Sequence, residues 1–250
     1  LAYRQKAYGR AELFDRPLIN LWADSARVVM RFGLTLSHLG RQEEAVFYLE
    51  RAANLDSTSA VAWNNLGLIY RKVRRYSEAV DCYRHAVMID SEYVDAWYNL
   101  GTGLIRLDSI EPKAIVDSLD FLGGGEAAYR VALRLEPKNA RALHGMGVLR
   151  KTQRRYDDAV GFLEQAIKSD PKFVHAYYTV GLVYGQQGRY AYAIAAHQRA
   201  LLIDKSFSQA RYALGVTHVM RREWTQAHAH YDTLAQNESP LAPKLRKLLQ

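Results

Sequence analysis

The segment Trp63-Asn64-Asn65-Leu66-Gly67-Leu68-Ile69-Tyr70 returns 34 residues later, in part, as Trp97-Tyr98-Asn99-Leu100-Gly101. The glycine of this segment recurs along most of the chain, and it is placed here at position 8 of a 34-residue frame. The spacings between successive glycines are 34, 34, 46, 34 and 34 residues, and the glycines are Gly33, Gly67, Gly101, Gly147, Gly181 and Gly215. So regular a spacing predicts an array of about six structural repeats.

Other positions of the frame are equally regular. Position 24 carries a large side chain in every repeat, whereas position 20 is alanine in five repeats: Ala45, Ala79, Ala159, Ala193 and Ala227. Small residues at positions 8 and 20 let two antiparallel helices approach closely, and bulky residues fill the space that remains. Proline follows at position 32 in two repeats, as Pro137 and Pro171, where it is expected to end the second helix.

This pattern resembles the tetratricopeptide repeat family, whose signature is Trp-x2-Leu-Gly-x2-Tyr followed by spaced Ala, Phe, Ala and Pro. The second repeat matches it best, through Trp63, Leu66, Gly67, Tyr70, Ala79, Tyr83 and Ala86. The resemblance implies an all-α, right-handed α-solenoid of helix–turn–helix repeats, each with a helix A and a helix B. Stacking is obligatory, because no single repeat buries its own apolar face.

The frame divides the chain into six repeats between two caps. The repeats span 26–59, 60–93, 94–139, 140–173, 174–207 and 208–239. The third holds 12 extra residues within 108–125, where 111–116 is expected to begin a short helix and 123–125 to form a flexible glycine return. Residues 1–25 are expected to form a helical cap or remnant repeat, with a helix over 2–14, and 240–250 an amphipathic capping helix.

The composition fits a folded helical protein, with 49% hydrophobic residues and only 6 prolines. No apolar run approaches the roughly 18 residues of a transmembrane helix. The single cysteine, Cys82, excludes an internal disulfide framework and fits a reducing compartment. An intracellular, cytoplasmic location is therefore expected, while a targeting segment upstream of Leu1 is left open.

The sequence contains none of the catalytic motifs that were sought. There is no phosphate-binding P-loop and no His-Glu-x-x-His metal motif. His197 and His218 fall at core positions 24 and 11, and Cys82 lies beside the core residue Tyr83, so all three are expected to be buried. The basic runs 71–75 and 150–155 end helix A, where cations complement the helix dipole. We therefore predict a non-catalytic protein without a cofactor or a metal.

The resemblance also predicts a partner-binding surface, because in the family helix A lines a concave groove through positions 2, 5, 6, 9, 12 and 13. Those positions carry seven cations here and only one acid, Asp95, so they hold six of the eight net positive charges. In family members that bind extended peptides, asparagines at position 6 form a ladder, which Asn65 and Asn99 would provide with two rungs. The predicted partner-binding residues are Arg27, Arg31, Asn64, Asn65, Arg71, Lys72, Tyr98, Asn99, Arg106, Arg141, His144, Lys151 and Tyr178.

Three kinds of function remain open at this point. The leading hypothesis is a scaffold or adaptor that binds an acidic or extended segment of a partner protein, as a subunit of a larger complex. A basic helical-repeat protein that binds nucleic acid is the second, since phosphates would also suit a basic groove. The third is the substrate-docking arm of a larger enzyme. Homo-oligomer formation through the caps or the convex face is also open.

Overall fold

The computed structural model describes residues 12–13, 17–18, 21, 23–110 and 124–250, none of which lies in a β-strand. Most of the helix expected over 2–14 and all of the one expected over 111–116 lie outside the described residues. The described part of the chain is all-α, as expected. It divides into two compact units, Leu1–Glu136 and Pro137–Gln250.

Unit 1 contains three helix pairs. Each helix A packs on the helix B that follows it, and the first and second pairs each pack on the next pair of the unit. The helices are α1 (Ala26–His38), α2 (Gln42–Leu55), α3 (Ala60–Lys72), α4 (Tyr76–Ile89), α5 (Val94–Asp108) and α6 (Gly124–Leu135). Gly124 and Gly125, which were expected in a flexible return, instead begin helix α6.

Unit 2 has three further pairs and a short final helix. Its helices are α7 (Ala140–Thr152), α8 (Tyr156–Ser169), α9 (Val174–Gln186), α10 (Tyr190–Ile203), α11 (Ser208–Met220), α12 (Trp224–Gln236) and α13 (Ala242–Arg246). Two of the helices A, α3 in unit 1 and α7 in unit 2, are capped by a side chain at their first turn. Ser59 Oγ accepts the amide N–H of Ala62, and Asn139 Oδ1 accepts that of Ala142.

Helix B ends at an aspartate more often than at a proline. Position 31 is aspartate in four repeats, and its Oδ1 accepts a backbone N–H two residues further on, as Asp90 does from Glu92 at 2.9 Å and Asp204 from Ser206 at 2.9 Å. This side-chain bond replaces the next helical bond and turns the chain. Proline is therefore only one of the residues that end helix B, and Pro171 itself follows Asp170.

The core lies between the two helices of each pair, and in the first five pairs the position-8 glycine faces the position-24 side chain. A Cβ atom on Gly67 would lie 2.6 Å from Tyr83 Cε1, and one on Gly147 would lie 2.6 Å from Leu163 Cγ. Tyr83 and Leu163 are both fully buried. The close approach expected of small residues at position 8 is thus what these helix pairs show.

The C-terminal helix α13 covers the last helix pair. Leu245 is fully buried and joins Leu234 and Ala242 in an apolar cluster, against which Tyr212 and Val216 also pack. The frame assigns the space beside Gly215 to Tyr231, but the nearest side chain there is that of Leu245. In the sixth repeat, therefore, the cap supplies the contact that position 24 makes elsewhere.

Candidate partner-binding surfaces

Unit 1 presents five of the predicted cations on helices α1, α3 and α5. All five are exposed, and they are Arg27, Arg31, Arg71, Lys72 and Arg106. Together they are called the unit-1 basic surface. Asp95, the one acid at the same frame positions, is half-buried on α5. The guanidinium of Arg106 lies 5.5 Å from the centre of the Tyr76 ring, a distance within the range of a cation–π contact.

Cations at the centre of this surface lie close enough to affect one another's pKa values. Lys72 Nζ donates to Ser37 Oγ at 2.8 Å, which joins α3 to α1. Burial, and after it the charge of Arg71, lowers the pKa of Lys72. Burial and the charge of Lys72 in turn lower the pKa of His38. For both residues burial is the larger cause and the neighbouring cation the smaller one.

Asn99, the second rung of the predicted asparagine ladder, contacts a neighbouring helix of the stack. The Asn99 side chain is buried, with 6% of its surface exposed, and its Nδ2 donates to Asn64 Oδ1 at 2.9 Å. Asn64 is also buried and donates in turn to the Tyr93 hydroxyl at 3.2 Å. Both amides therefore join α3 to α5 inside the stack, because the shape of the stack turns these two faces toward each other rather than toward a ligand.

Two other predicted residues of unit 1 also contact neighbouring helices. Asn65 is half-buried, and its Nδ2 lies 3.5 Å from Met30 Sδ on α1. The ring of Tyr98 stacks on that of Tyr129, with 5.9 Å between the ring centres. Tyr98 and Asn65 keep part of their surface accessible, so a contact with a partner and a structural contact are compatible at both residues.

In unit 2 the predicted residues are less charged. Arg141 is exposed and Lys151 is half-buried on α7. His144 Nε2 lies 3.0 Å from Thr179 Oγ1, which joins α7 to α9. Burial lowers the pKa of His144 to about 4, so the ring is neutral at pH 7 and takes part in helix packing.

Tyr178 lies on a groove of about 320 Å³ in unit 2 that sequence reasoning missed. This unit-2 groove is lined by helices α9, α10 and α11, through residues that include Tyr178, Leu182, Gly185, His197, Tyr212 and Val216. Gly185 was the available signal, because a glycine at a helix-A position that faces the predicted surface leaves space. A Cβ atom on Gly185 would meet no heavy atom within 4 Å.

The residues that were expected to be structural are buried or paired. Cys82 is buried, and burial raises the pKa of its thiol to about 12. His197 and His218 are buried as predicted, with 1% and 8% of their surfaces exposed. In the basic run 150–155, Arg150 is buried and donates to Gln153 Oε1 at 2.9 Å, so it is unavailable to phosphates.

Three family models described as tetratricopeptide repeats match residues 26–59, 60–93 and 144–211, which together make up more than half of the chain. The first two matches have the same bounds as the first two repeats of the frame. No curated protein matches the sequence.

Solved structures share the fold at low sequence identity. A chain of the APC/C hetero-tetramer Cut9–Hcn1 is 15% identical with a TM-score of 0.79, over 99% of this chain and 47% of that one. The present chain thus spans about half the length of that relative. A tetratricopeptide repeat protein from Parabacteroides merdae is 16% identical with a TM-score of 0.74, over 97% of this chain and 92% of that one. YrrB, described as a protein with an unusual peptide-binding site, is 24% identical with a TM-score of 0.52, over 80% of this chain and 96% of that one.

Among the described residues, no helix combines the length and the apolar character that crossing a membrane requires.

Proposed function

The chain belongs to the tetratricopeptide repeat family, whose members are scaffolds for protein–protein interaction and are generally non-catalytic. From this premise we propose that it binds an acidic, extended segment of a partner protein. The segment lies on the unit-1 basic surface, with Arg27, Arg71 and Lys72 as its principal contacts. In unit 2, Arg141 and Lys151 offer the same chemistry.

The observation that carries this proposal is the group of four exposed cations on α1 and α3. Lys72 and Arg71 are neighbours in sequence, both are exposed, and the charge of Arg71 adds to burial in lowering the Lys72 pKa. A solvated helix face would place acids between such cations, since alternating signs stabilise an isolated helix. A carboxylate-rich ligand would supply the missing acids and gain charge-assisted hydrogen bonds.

The comparisons support a peptide ligand in a larger assembly without assigning either. YrrB has the same kind of fold and is described as having an unusual peptide-binding site. Cut9–Hcn1 is described as a hetero-tetramer, and this chain corresponds to about half of its matching chain. We therefore include membership of a multi-protein complex in the proposal.

The proposal is tested with a charge-reversal variant and a control of equal charge. Arg27→Glu/Arg71→Glu changes the basic surface, whereas Arg74→Glu/Arg134→Glu makes the same change of net charge at two exposed positions outside it. The probe is a short fluorescent peptide of alternating Glu and Gly, with a Gln–Gly peptide as its neutral counterpart. We expect the first variant to weaken anisotropy-detected binding of the acidic peptide by about tenfold or more, which is about 1.4 kcal/mol, and the control to change it little.

The salt dependence of binding and the affinity for RNA test the chemistry of the proposed site. Binding of the acidic peptide should weaken as salt is added, because exposed charges are screened. Equal loss in both variants would make the effect one of net charge and contradict a site on α1 and α3. Tighter binding of a random-sequence RNA than of the acidic peptide, lost in the same variant, would assign the surface to phosphates instead.

A further inference from the structure

A cavity of about 290 Å³ opens on unit 1 between helices α2, α3 and α4. It is called the unit-1 cavity, and it is lined by residues that include Glu50, Trp63, Tyr70, Glu78, Asp81 and His85. Three of these residues are acids, whereas no lysine or arginine lines the cavity. None of the five cations of the unit-1 basic surface belongs to it, so it is a separate feature of the same unit.

The Glu50 carboxylate is held in place but forms no salt bridge within the part of the chain that the structure describes. It is half-buried on α2 and accepts a hydrogen bond from the Tyr70 hydroxyl. Burial, and after it this hydrogen bond, raises the pKa of Tyr70, so the hydroxyl keeps its proton and remains the donor. A half-buried carboxylate attracts a cation more strongly than one in bulk water, because less solvent screens its charge.

Each of the two acids on α4 is paired with an arginine three residues away. Arg75 Nε donates to Glu78 Oε1 at 2.8 Å, and Arg84 donates to Asp81 Oδ1 at 3.2 Å. The Asp81 side chain is 61% exposed. Because surface pairs of this kind are weak and a carboxylate has lone pairs for further donors, both acids remain available to a cationic ligand.

The Trp63 ring forms an aromatic wall of the cavity with a fixed orientation. It stacks on the ring of His85, with 4.7 Å between ring centres, and its Nε1 donates to the carbonyl oxygen of Ser57 at 3.0 Å. Indole is the side-chain ring that attracts cations most strongly, and arginine makes such contacts more often than lysine. A cation in this cavity would therefore meet a ring as well as carboxylates.

The chain already places its own guanidinium groups on aromatic rings in the same part of the repeat. The guanidinium of Arg75 lies 4.4 Å from the centre of the Tyr70 ring. In repeat five, that of Arg189 lies 4.7 Å and 4.4 Å from the ring centres of Tyr184 and Tyr192. A planar guanidinium can stack on a ring and donate to a carboxylate at the same time, which an ammonium group cannot do.

The acidic lining is particular to the first two repeats. Acids occupy position 25 of repeat one and positions 19 and 22 of repeat two, as Glu50, Glu78 and Asp81. At the same three positions, every other pair of successive repeats has at most one acid. In repeat five, position 22 is Ala195, and position 26, which is His85 in repeat two, is Arg199. The repeat can therefore fold without these acids, which favours a role in binding.

From these features we infer that the unit-1 cavity binds an arginine side chain of a partner protein, with the guanidinium on the Trp63 ring and donating to Glu50 and Asp81. Charge complementarity identifies the occupant as a cation. Among the residues that the structure describes, no group of three or more His, Cys, Asp or Glu side chains could hold a metal ion, which favours an organic cation. The inference goes beyond the proposed function, because it gives unit 1 a second surface of opposite charge.

Two amide variants with the same change of net charge test the site. Glu50→Gln/Asp81→Asn removes two charges from the cavity, and each amide keeps an oxygen that can accept the existing hydrogen bonds. Glu43→Gln/Glu92→Gln is the matched control, at two exposed positions of unit 1 outside the cavity. If the first variant melts at a lower temperature than the control, Asp81→Asn alone replaces it, because that side chain is mostly exposed.

The probe is a short fluorescent peptide of alternating Arg and Gly, added to the full chain in about 0.05 M NaCl, where charges are weakly screened. Lys–Gly and citrulline–Gly peptides of equal length are its counterparts, and citrulline has an uncharged urea in place of the guanidinium. We expect anisotropy to show binding of the Arg–Gly peptide that is at least about fivefold tighter than that of the Lys–Gly peptide. The citrulline peptide should not bind.

The cavity variant should weaken binding of the Arg–Gly peptide by about fivefold or more, since two attractive charges are lost, and the control should change it little. Arg27→Glu/Arg71→Glu should not weaken it, because that pair lies outside the cavity. This last comparison separates the cavity from the unit-1 basic surface.

Four outcomes would overturn the inference: no binding of the Arg–Gly peptide, equal binding of the Arg–Gly and Lys–Gly peptides, equal loss in the cavity variant and its control, or self-association of the chain that the cavity variant abolishes. Binding of the Arg–Gly peptide in the cavity, with no binding of the acidic Glu–Gly peptide, would support the inference and contradict the proposed function. The reverse pattern would contradict the cavity and leave the proposed function intact.

Discussion

At the scale of single residues, several polar side chains near the predicted surface join neighbouring helices A. The partners lie 35 residues apart, so position 5 of one repeat meets position 6 of the next. Asn64 and Asn99 make such a pair in unit 1, and His144 and Thr179 make one in unit 2. A buried amide must be hydrogen-bonded, since leaving it unpaired costs free energy. These residues therefore stabilise the stack, and a search for ligand contacts should start from the exposed cations.

Replacing Asn99 with alanine tests this assignment. The change leaves Asn64 Oδ1 buried without its donor, so we expect the free energy of unfolding to fall by about 1–3 kcal/mol in urea titrations. Asn65→Ala is the control, because the half-buried Asn65 has only a long contact to Met30 Sδ, and it should change stability by less than about 0.5 kcal/mol.

Equal destabilisation by the two alanine variants would contradict a special role for the buried pair. Loss of acidic-peptide binding in Asn99→Ala, with stability unchanged, would restore Asn99 as a ligand contact.

At the scale of helices, two features of the frame shape most of the pairs. Glycine at position 8 lets helix A contact the position-24 side chain of helix B, and aspartate at position 31 ends helix B in four repeats. The first can be predicted from the sequence because the glycine spacing is regular. The second is a hydrogen bond between the aspartate side chain and the backbone N–H two residues later, and it was recognised from the structure rather than from the sequence.

Gly67→Ala should therefore destabilise unit 1 even though alanine favours helices. The new Cβ would lie 2.6 Å from Tyr83 Cε1 and 3.0 Å from the backbone oxygen of Ala79, so the helices must separate. We expect a loss of about 1–3 kcal/mol, measured by urea unfolding followed by circular dichroism.

Gly161→Ala is the matched control in a helix with open space around the glycine. It should raise stability by about 0.5–1 kcal/mol, since only helix propensity changes. A gain in stability at Gly67 as well would show that the pair tolerates a wider separation and would remove the reason given for the repeated glycine.

At the scale of the whole molecule, the two units offer different surfaces built from the same repeat. Unit 1 exposes five predicted cations on its helices A, whereas unit 2 has an uncharged groove floored by Gly181 and His197. The end of the array is covered by α13, which places Leu245 where a further apolar side chain is needed. The cap is thus part of the folding unit, and it also supports a wall of the groove.

Leu245→Ala tests the role of the cap. Leu245 is fully buried, so its truncation should lower the free energy of unfolding by about 2–4 kcal/mol. It should also loosen the packing of Tyr212 and Val216, which line the unit-2 groove. Leu248→Ala, at a position that is 44% exposed in the same segment, should cost less than about 1 kcal/mol. Equal effects of the two substitutions in thermal melting would show that the segment is not docked through Leu245.

The repeat type, the helix pairing and the burial of Cys82, His197 and His218 could all be predicted from the sequence, because they follow from residue size and apolar character at fixed spacings. The exposure of six of the seven predicted cations follows for the same reason, since a charged side chain at a surface position of a regular helix stays in water, whereas Lys151 is half-buried. The geometry of a regular helix is enough to determine which of these positions are buried and which are exposed.

Only the tertiary structure decided which polar residues meet across neighbouring repeats. Asn65 and Asn99 share frame position 6, yet Asn99 is buried on Asn64 while Asn65 keeps part of its surface, because what a side chain meets depends on the partner that the next helix brings to it. The unit-2 groove depends on the tertiary structure in the same way, since Gly185 and His197 lie 12 residues apart and line one groove only when α9 packs on α10. Spacing along one chain fixes the helices, but the space left between them depends on side chains that the fold brings together.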